Sequence, residues 1–112
     1  MTKTFAERLA EDRRGAILRI LGTVEGHALN EDLLTRELLR QRFGQVTRDD
    51  MRGLLAWLER QALVEIERLP GGGAALGNSG GPAAGDLWAV TASRAGRDVA
   101  RGAEHPGIAQ PL

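Results

Sequence analysis

Arg48 and Arg52 stand four residues apart in "VTRDDMRGLLAWLERQ", so on a helix they share a face, one turn from each other. A guanidinium can donate two parallel hydrogen bonds to a guanine edge or to a phosphate, which makes this pair the candidate for reading duplex DNA. Thr47, just before them, can cap the helix or reach a phosphate. Arg36 and Arg40, one turn apart in the preceding segment "EDLLTRELLRQR", can anchor the sugar-phosphate backbone. Asp49 and Asp50 work against this at the same helix start, because their carboxylates repel phosphate. Their plainer role is to complement the positive end of the helix, contributing about 0.3–1 kcal/mol each.

Other chemistry finds little support. The two histidines, His27 and His105, lie in a connection and in the C-terminal tail, with no serine or acidic partner at a catalytic spacing. With no cysteine in the chain, two distant histidines do not make a metal site. The stretch "GGGAALGNSGG" lacks the lysine and the following helix that a phosphate-cradling P-loop needs. The expectation is therefore no enzyme, no cofactor and no metal.

Charge limits the DNA reading as well. Lys+Arg and Asp+Glu both number 15, whereas phosphate binders more often carry a basic surplus. Any DNA contact must then come from a local patch. The polar opening "MTKTFAERLAEDRRG" has no apolar signal core, and no apolar run is long enough to span a bilayer. A cytoplasmic protein without membrane contact is expected.

At 112 residues the chain has material for one domain with one modest core. "TFAE" reads as a capping box, Thr4 to Glu7, opening a helix whose Phe5, Leu9, Ile17, Ile20 and Leu21 recur at helical spacing as far as Gly22. Leu29 suits a one- or two-residue strand. Asn30 then caps a second helix over about 31–42, with Glu31 and Asp32 at its positive end, Leu34 and Leu38 inward, and Gly44 as its expected terminator. A third helix, 47–61, carries Met51, Leu54, Leu55 and Leu58 as a buried stripe with Trp57 on its flank.

The period then changes to two. Val64 and Ile66 alternate with Glu65 and Glu67, and "LWAVT" sets Trp88 and Val90 on one face, so the two runs form an antiparallel hairpin. A last short helix, capped by Thr91 or Ser93, runs to about Gly102. The order is helix, short strand, helix, helix, strand, loop, strand, helix: mainly α with a β-hairpin, the connectivity of a winged helix-turn-helix. The domain is expected over 1–102, with a wing loop at 70–86 and a flexible tail at 103–112.

"LLAWLERQALVEIE" followed by "TASRAG" resembles the end of the third helix and the hairpin of MarR- and ArsR-type winged-helix regulators. Leu55, Leu58, Glu59, Leu63 and Val64 match the first part; Thr91 and Gly96 match the second at a longer spacing. Ala62 departs from the pattern, standing where those families place a helix-ending glycine. Nearly the whole chain, from "MTKTFAERLAEDRRGAILRIL" to "TASRAGRDVARG", resembles small winged-helix proteins of Mu-like prophages. That resemblance implies a phage or prophage protein acting in a bacterial host, a transcriptional regulator or DNA-packaging accessory whose third helix enters the major groove of double-stranded DNA.

The wing would add Asn78 and Ser79 as hydrogen-bond donors to phosphate. It carries no charge between Arg68 and Asp86, so it releases no counterions. A homodimer is expected through the first and last helices, with Phe5, Leu9 and Val99 as its surface. The alternative is a winged-helix protein-interaction module that meets a phage protein partner in assembly and binds no DNA. A continuous positive strip across Arg36, Arg40, Arg48 and Arg52 favours DNA; a mixed face favours a protein.

Overall fold

The computed structural model describes residues 3–24, 26–70 and 86–109. Within them lie four helices and three strands: α1 Phe5–Gly22, β1 Leu29–Asn30, α2 Glu31–Arg40, α3 Arg48–Arg60, β2 Val64–Pro70, β3 Asp86–Ala92 and α4 Arg94–Ala100. Each helix starts on a side-chain cap. Thr4, Asn30, Thr47 and Ser93 accept from the backbone N–H groups of Glu7, Leu33, Asp50 and Gly96, and Thr4 and Glu7 complete the expected capping box.

The three strands form one antiparallel sheet in the order β1-β3-β2. β1 adds its two residues to the outer edge of β3 by pairing Leu29 with Val90 and Asn30 with Ala89. β2 and β3 pair along their full length, which sets Ile66 opposite Val90 and Arg68 opposite Trp88. Ile17 and Leu18 of α1, Leu34 and Leu38 of α2, and Met51, Leu55 and Leu58 of α3 meet Val90 of the sheet in a fully buried core. The alternation of β2 and the helical stripes therefore face inward as the residue pattern requires. The wing loop at 71–85, with Asn78 and Ser79, lies outside the described residues.

Helix endings depart from expectation in two places. α2 ends earlier, and its left-handed terminator is Arg42 at φ 67° rather than Gly44. The Phe43 N–H reaches back to the Leu38 carbonyl at 2.8 Å, closing the helix before the glycine, whose own positive φ of 90° serves the following turn. α3 ends where glycine is customary, yet Ala62 itself takes the left-handed φ of 59°. The Leu63 N–H to Leu58 carbonyl bond at 3.0 Å completes this ending, so the chain keeps the helix stop and carries the Cβ strain.

α4 fits against the same turn. The Ser93 hydroxyl donates to the Ala62 carbonyl at 2.7 Å, and the Ser93 N–H donates to the Leu63 carbonyl at 3.0 Å. A Cβ on Gly96 would stand 2.0 Å from the Leu63 carbonyl oxygen, so only glycine permits this approach.

Phe5, expected on a dimer surface, is 72% exposed at the first turn of α1. Two further expectations are corrected. Val99 is buried at 7% exposure, packed inside its own chain, which removes it from any dimer surface. The segment expected as a loose tail is docked as far as Ala109. Ile108 is 6% exposed in the core cluster, the Ala109 N–H donates to the Glu11 carbonyl at 3.2 Å, and Arg14 donates to the Gly107 carbonyl at 3.0 Å. The positive φ of Gly107, 86°, lays its backbone on Trp57, where a Cβ would come within 2.6 Å of the ring. An isoleucine between prolines suffices to anchor this segment, since burying one such side chain contributes about 1.5–3 kcal/mol.

Candidate functional site

The candidate interface is the surface formed by α2, α3 and the loop-side half of the hairpin, around Arg68 and Trp88. Arg52 projects from α3 towards the N-terminus of α2, where Glu31 is 1% exposed and is the buried charged residue among those described. Their contact is bidentate: Nε to Oε1 at 2.7 Å and Nη2 to Oε2 at 2.8 Å. Oε2 also accepts the backbone N–H of Trp88 at 2.8 Å, so one carboxylate joins α2, α3 and β3. Burial alone raises the Glu31 carboxyl. The Arg52 hydrogen bond, the Trp88 N–H and the charges of Arg52 and Arg48 together outweigh it and hold the pKa below its ordinary value.

The Trp88 indole extends the network. The Arg52 guanidinium carbon lies 4.7 Å from its ring centroid and that of Arg68 lies 4.5 Å away. Two cations thus stack on one π-system, each at a separation where the interaction contributes about 0.5–1 kcal/mol in exposed settings. Arg68 is itself held by Glu59 of α3 through two hydrogen bonds at 3.0 and 3.2 Å. That contact lowers the Glu59 pKa and raises that of Arg68. The chain of contacts Glu59–Arg68–Trp88–Arg52–Glu31 fastens the loop-side half of the hairpin to both helices.

Arg48, a turn earlier on α3, donates to both oxygens of Asp32 at 2.9 and 3.0 Å, with Glu31 at 3.9 Å from its Nε. Both side chains of this pair are open to solvent, 40% for Arg48 and 53% for Asp32. Arg40 is paired within α2: Glu37 accepts from its Nε at 3.0 Å and from its Nη2, and also accepts from Gln41. The Arg40 and Gln41 hydrogen bonds bring the Glu37 carboxyl down to about 2. The Thr47 hydroxyl is used as the α3 cap, accepting the Asp50 N–H at 3.0 Å. Among the described residues, Arg36 is the one expected contact arginine that is exposed with no ion-pair partner.

Among the described residues, Arg48 and Arg52 thus meet at the N-terminus of α2 through Asp32 and Glu31, while Arg40 pairs within α2 at its far end; the arrangement is one of pairs and not of a positive strip. Arg40, Arg48, Arg52 and Arg68 are matched with Glu37, Asp32, Glu31 and Glu59. Asp49 and Asp50 remain exposed at the α3 start, and Gly53 occupies its outward face, where a Cβ would meet nothing within 4 Å. Sequence reasoning gave Glu31 and Asp32 only a helix-end role. Their position ahead of an α3 with arginines at its own start was the available signal for cross-helix pairing.

A second cluster was also missed. The Arg14 guanidinium carbon sits 4.0 Å from the Trp57 ring centroid, and His105 meets the same ring edge-on at 5.7 Å. Burial lowers the Arg14 pKa, the neighbouring Arg60 adds to this, and Glu11 opposes it. This cluster closes the tail over α1 and α3, and is structural in geometry: a side chain on each element meets the docked backbone.

The described residues contain no group of three His, Cys, Asp or Glu side chains able to hold a metal, and no helix long and apolar enough to cross a membrane. What the molecule presents is a small mixed α/β domain with a hairpin and a charge-paired helical face. It belongs to a phage protein family: over 104 residues it is 36% identical to uncharacterized protein gp26 of Escherichia phage Mu, a match covering 92% of this chain and 91% of that one. It is also 37% identical over 70 residues to an uncharacterized protein of Haemophilus influenzae, covering 62% of this chain and 66% of that protein. No family model and no solved structure matches the chain.

Proposed function

We propose that the chain is a winged-helix protein-interaction module of phage origin, whose α2–α3 face meets a protein partner in place of reading a DNA groove. The helix order and the β1-β3-β2 sheet are compatible with that layout. The observation that carries the reading is the fate of Arg52. Turning it towards a base would leave the Glu31 carboxylate buried without its partner, and breaking a buried pair costs about 3–5 kcal/mol. A bidentate arginine–guanine contact returns about 1–3 kcal/mol of discrimination, less than the cost. Arg40, Arg48 and Arg68 are matched with Glu37, Asp32 and Glu59, and Arg36 alone of the described arginines proposed for this face is unmatched, a mixed surface that suits a protein contact. The small Gly53 and Ala56 on α3 let another backbone approach closely.

A pairwise two-hybrid screen against the phage's own proteins tests this. A partner whose binding is abolished by Gly53→Glu, a substitution into open space that leaves the fold intact, supports the reading. A partner set that ignores Gly53→Glu and Ala56→Glu opposes it.

A second reading, duplex DNA binding by a regulator or packaging accessory, has its own support. Arg36 is exposed and unpaired, and the Arg48–Asp32 pair is solvent-open, so exchanging Asp32 for a phosphate costs at most about 1 kcal/mol. A low-salt mobility-shift titration separates the two readings. A shift below about 10⁻⁴ M protein that weakens in Arg36→Ala and Arg48→Ala restores DNA binding; its absence leaves the protein-interaction reading standing.

A further inference from the structure

The first turn of α1 makes no use of the domain that carries it. Phe5, Ala6, Glu7 and Arg8 are all exposed, and Phe5, at 72%, is the most exposed of the large apolar side chains described. The arm is nevertheless braced as helix. The Thr4–Glu7 capping box closes its start, and Lys3 donates to Glu11 at 3.0 Å across the next two turns. A preordered helix end bearing an exposed phenylalanine forgoes about 1.5–3 kcal/mol of burial unless something covers it, and needs no ordering when it is covered.

The residues around Phe5 say what would cover it. Phe5, Arg8, Leu9 and Asp12 fall at i, i+3, i+4 and i+7, forming one stripe along the arm. Arg8 and Asp12 are exposed and take part in no ion pair among the described residues. They lie on opposite sides of Ala10. An antiparallel copy of the same helix, related by a two-fold axis near Ala10, therefore sets Arg8 against Asp12 of the partner subunit, and the symmetry repeats that contact. Leu9 lies beside the axis, and each Phe5 reaches past Asp12 of the partner subunit to where that subunit's α1 enters its domain, level with the buried position 15. The stripe is self-complementary in charge and apolar between the charges, as an isologous interface requires.

We propose that this stripe is a homodimer surface and that its occupant is the α1 arm of a second copy. α4 takes no part, since Val99 is spent in the core and its outward residues, Arg94, Ala95 and Asp98, are mainly charged. The proposal is independent of what the α2–α3 face binds. A single pair of crossing helices buries less than the standard interface of about 1,600 Å², so the association is weak and concentration-dependent.

Sedimentation equilibrium on the full chain over about 10⁻⁶–10⁻³ M covers the relevant affinities. The wild type is expected to pass from monomer to dimer within that range. Phe5→Ser and Arg8→Glu should each shift the midpoint at least about ten-fold towards monomer. The double variant Arg8→Glu, Asp12→Arg should restore the dimer, because the swap recreates both cross-axis contacts. Restoration cannot come from a merely structural effect at either position. A wild type that stays monomeric throughout overturns the proposal. So does a dimer that ignores all three variants, or a double variant that fails to recover.

Discussion

Arg52 of α3 and Glu31 of α2 face each other in a two-point contact at 2.7 and 2.8 Å, with the carboxylate 1% exposed and tied also to the backbone of Trp88. The contact decides what α3 has left to offer. The Arg52 guanidinium is the clasp between two helices and a strand.

Removing one side of that clasp separates charge from shape. Glu31→Gln keeps the side-chain volume but leaves Arg52 without its counter-charge. Because Arg52 is 26% exposed and can be partly rehydrated, the loss in unfolding free energy is expected at the lower end of the buried-pair range, about 3 kcal/mol. Urea denaturation of the two proteins measures it.

The same carboxylate predicts an acid limb. Its folded pKa lies below the value of 4.5 for a free glutamate, so the folded state favours the ionised form. The stability this contributes is fully present above pH 4.5 and is lost as pH falls through the folded pKa. Wild-type stability should therefore decline below that point. Glu31→Gln, having no group to protonate there, should show a shallower decline in a series of melts from neutral to acid pH.

Ala62 offers the opposite change. It holds φ 59° at the end of α3, a conformation costing a non-glycine residue about 1–2 kcal/mol. Its side chain is exposed and fills no core space. Ala62→Gly should raise stability by about 1 kcal/mol, seen as a higher thermal midpoint with unchanged helical circular dichroism.

Gly96 should tolerate nothing. A methyl there meets a backbone oxygen at 2.0 Å, and neither α4 nor the Ala62–Leu63 turn can retreat without losing the Ser93 hydrogen bonds. Gly96→Ala is expected to cost at least about 3 kcal/mol, the upper end for overpacking. Gly22→Ala serves as the control, because its added methyl would meet Ala100 at an ordinary 3.7 Å.

Ile108 tests the docked tail. Ile108→Ala is expected to cost about 2–5 kcal/mol, the range for a buried isoleucine, whereas a loose tail would show none. Hydrogen exchange should place the Ala109 amide, bonded to Glu11, among the protected positions.

The local content of this protein was readable in its residues. Caps at Thr4, Asn30, Thr47 and Ser93, the leucine stripes of α2 and α3, and the alternation around Ile66 and Val90 are each signals within a few neighbours. Such signals place helices and strands, and the order of elements followed from them. The role of each charge was not readable in this way. Arg52 and Glu31 are 21 positions apart and Trp88 is 57 from Glu31, and which of several arginines meets which carboxylate depends on how α2 and α3 cross. Tail docking is of the same kind: "HPGIAQP" has a loop's composition, and only the slot between α1 and Trp57 makes Ile108 a core residue. Sequence alone determined the elements and the neutral sum of charges. Tertiary structure decided that Arg48 and Arg52 of α3 are spent on the chain's own carboxylates, because pairing energy depends on distance and burial, and neither is a property of a residue's neighbours in sequence.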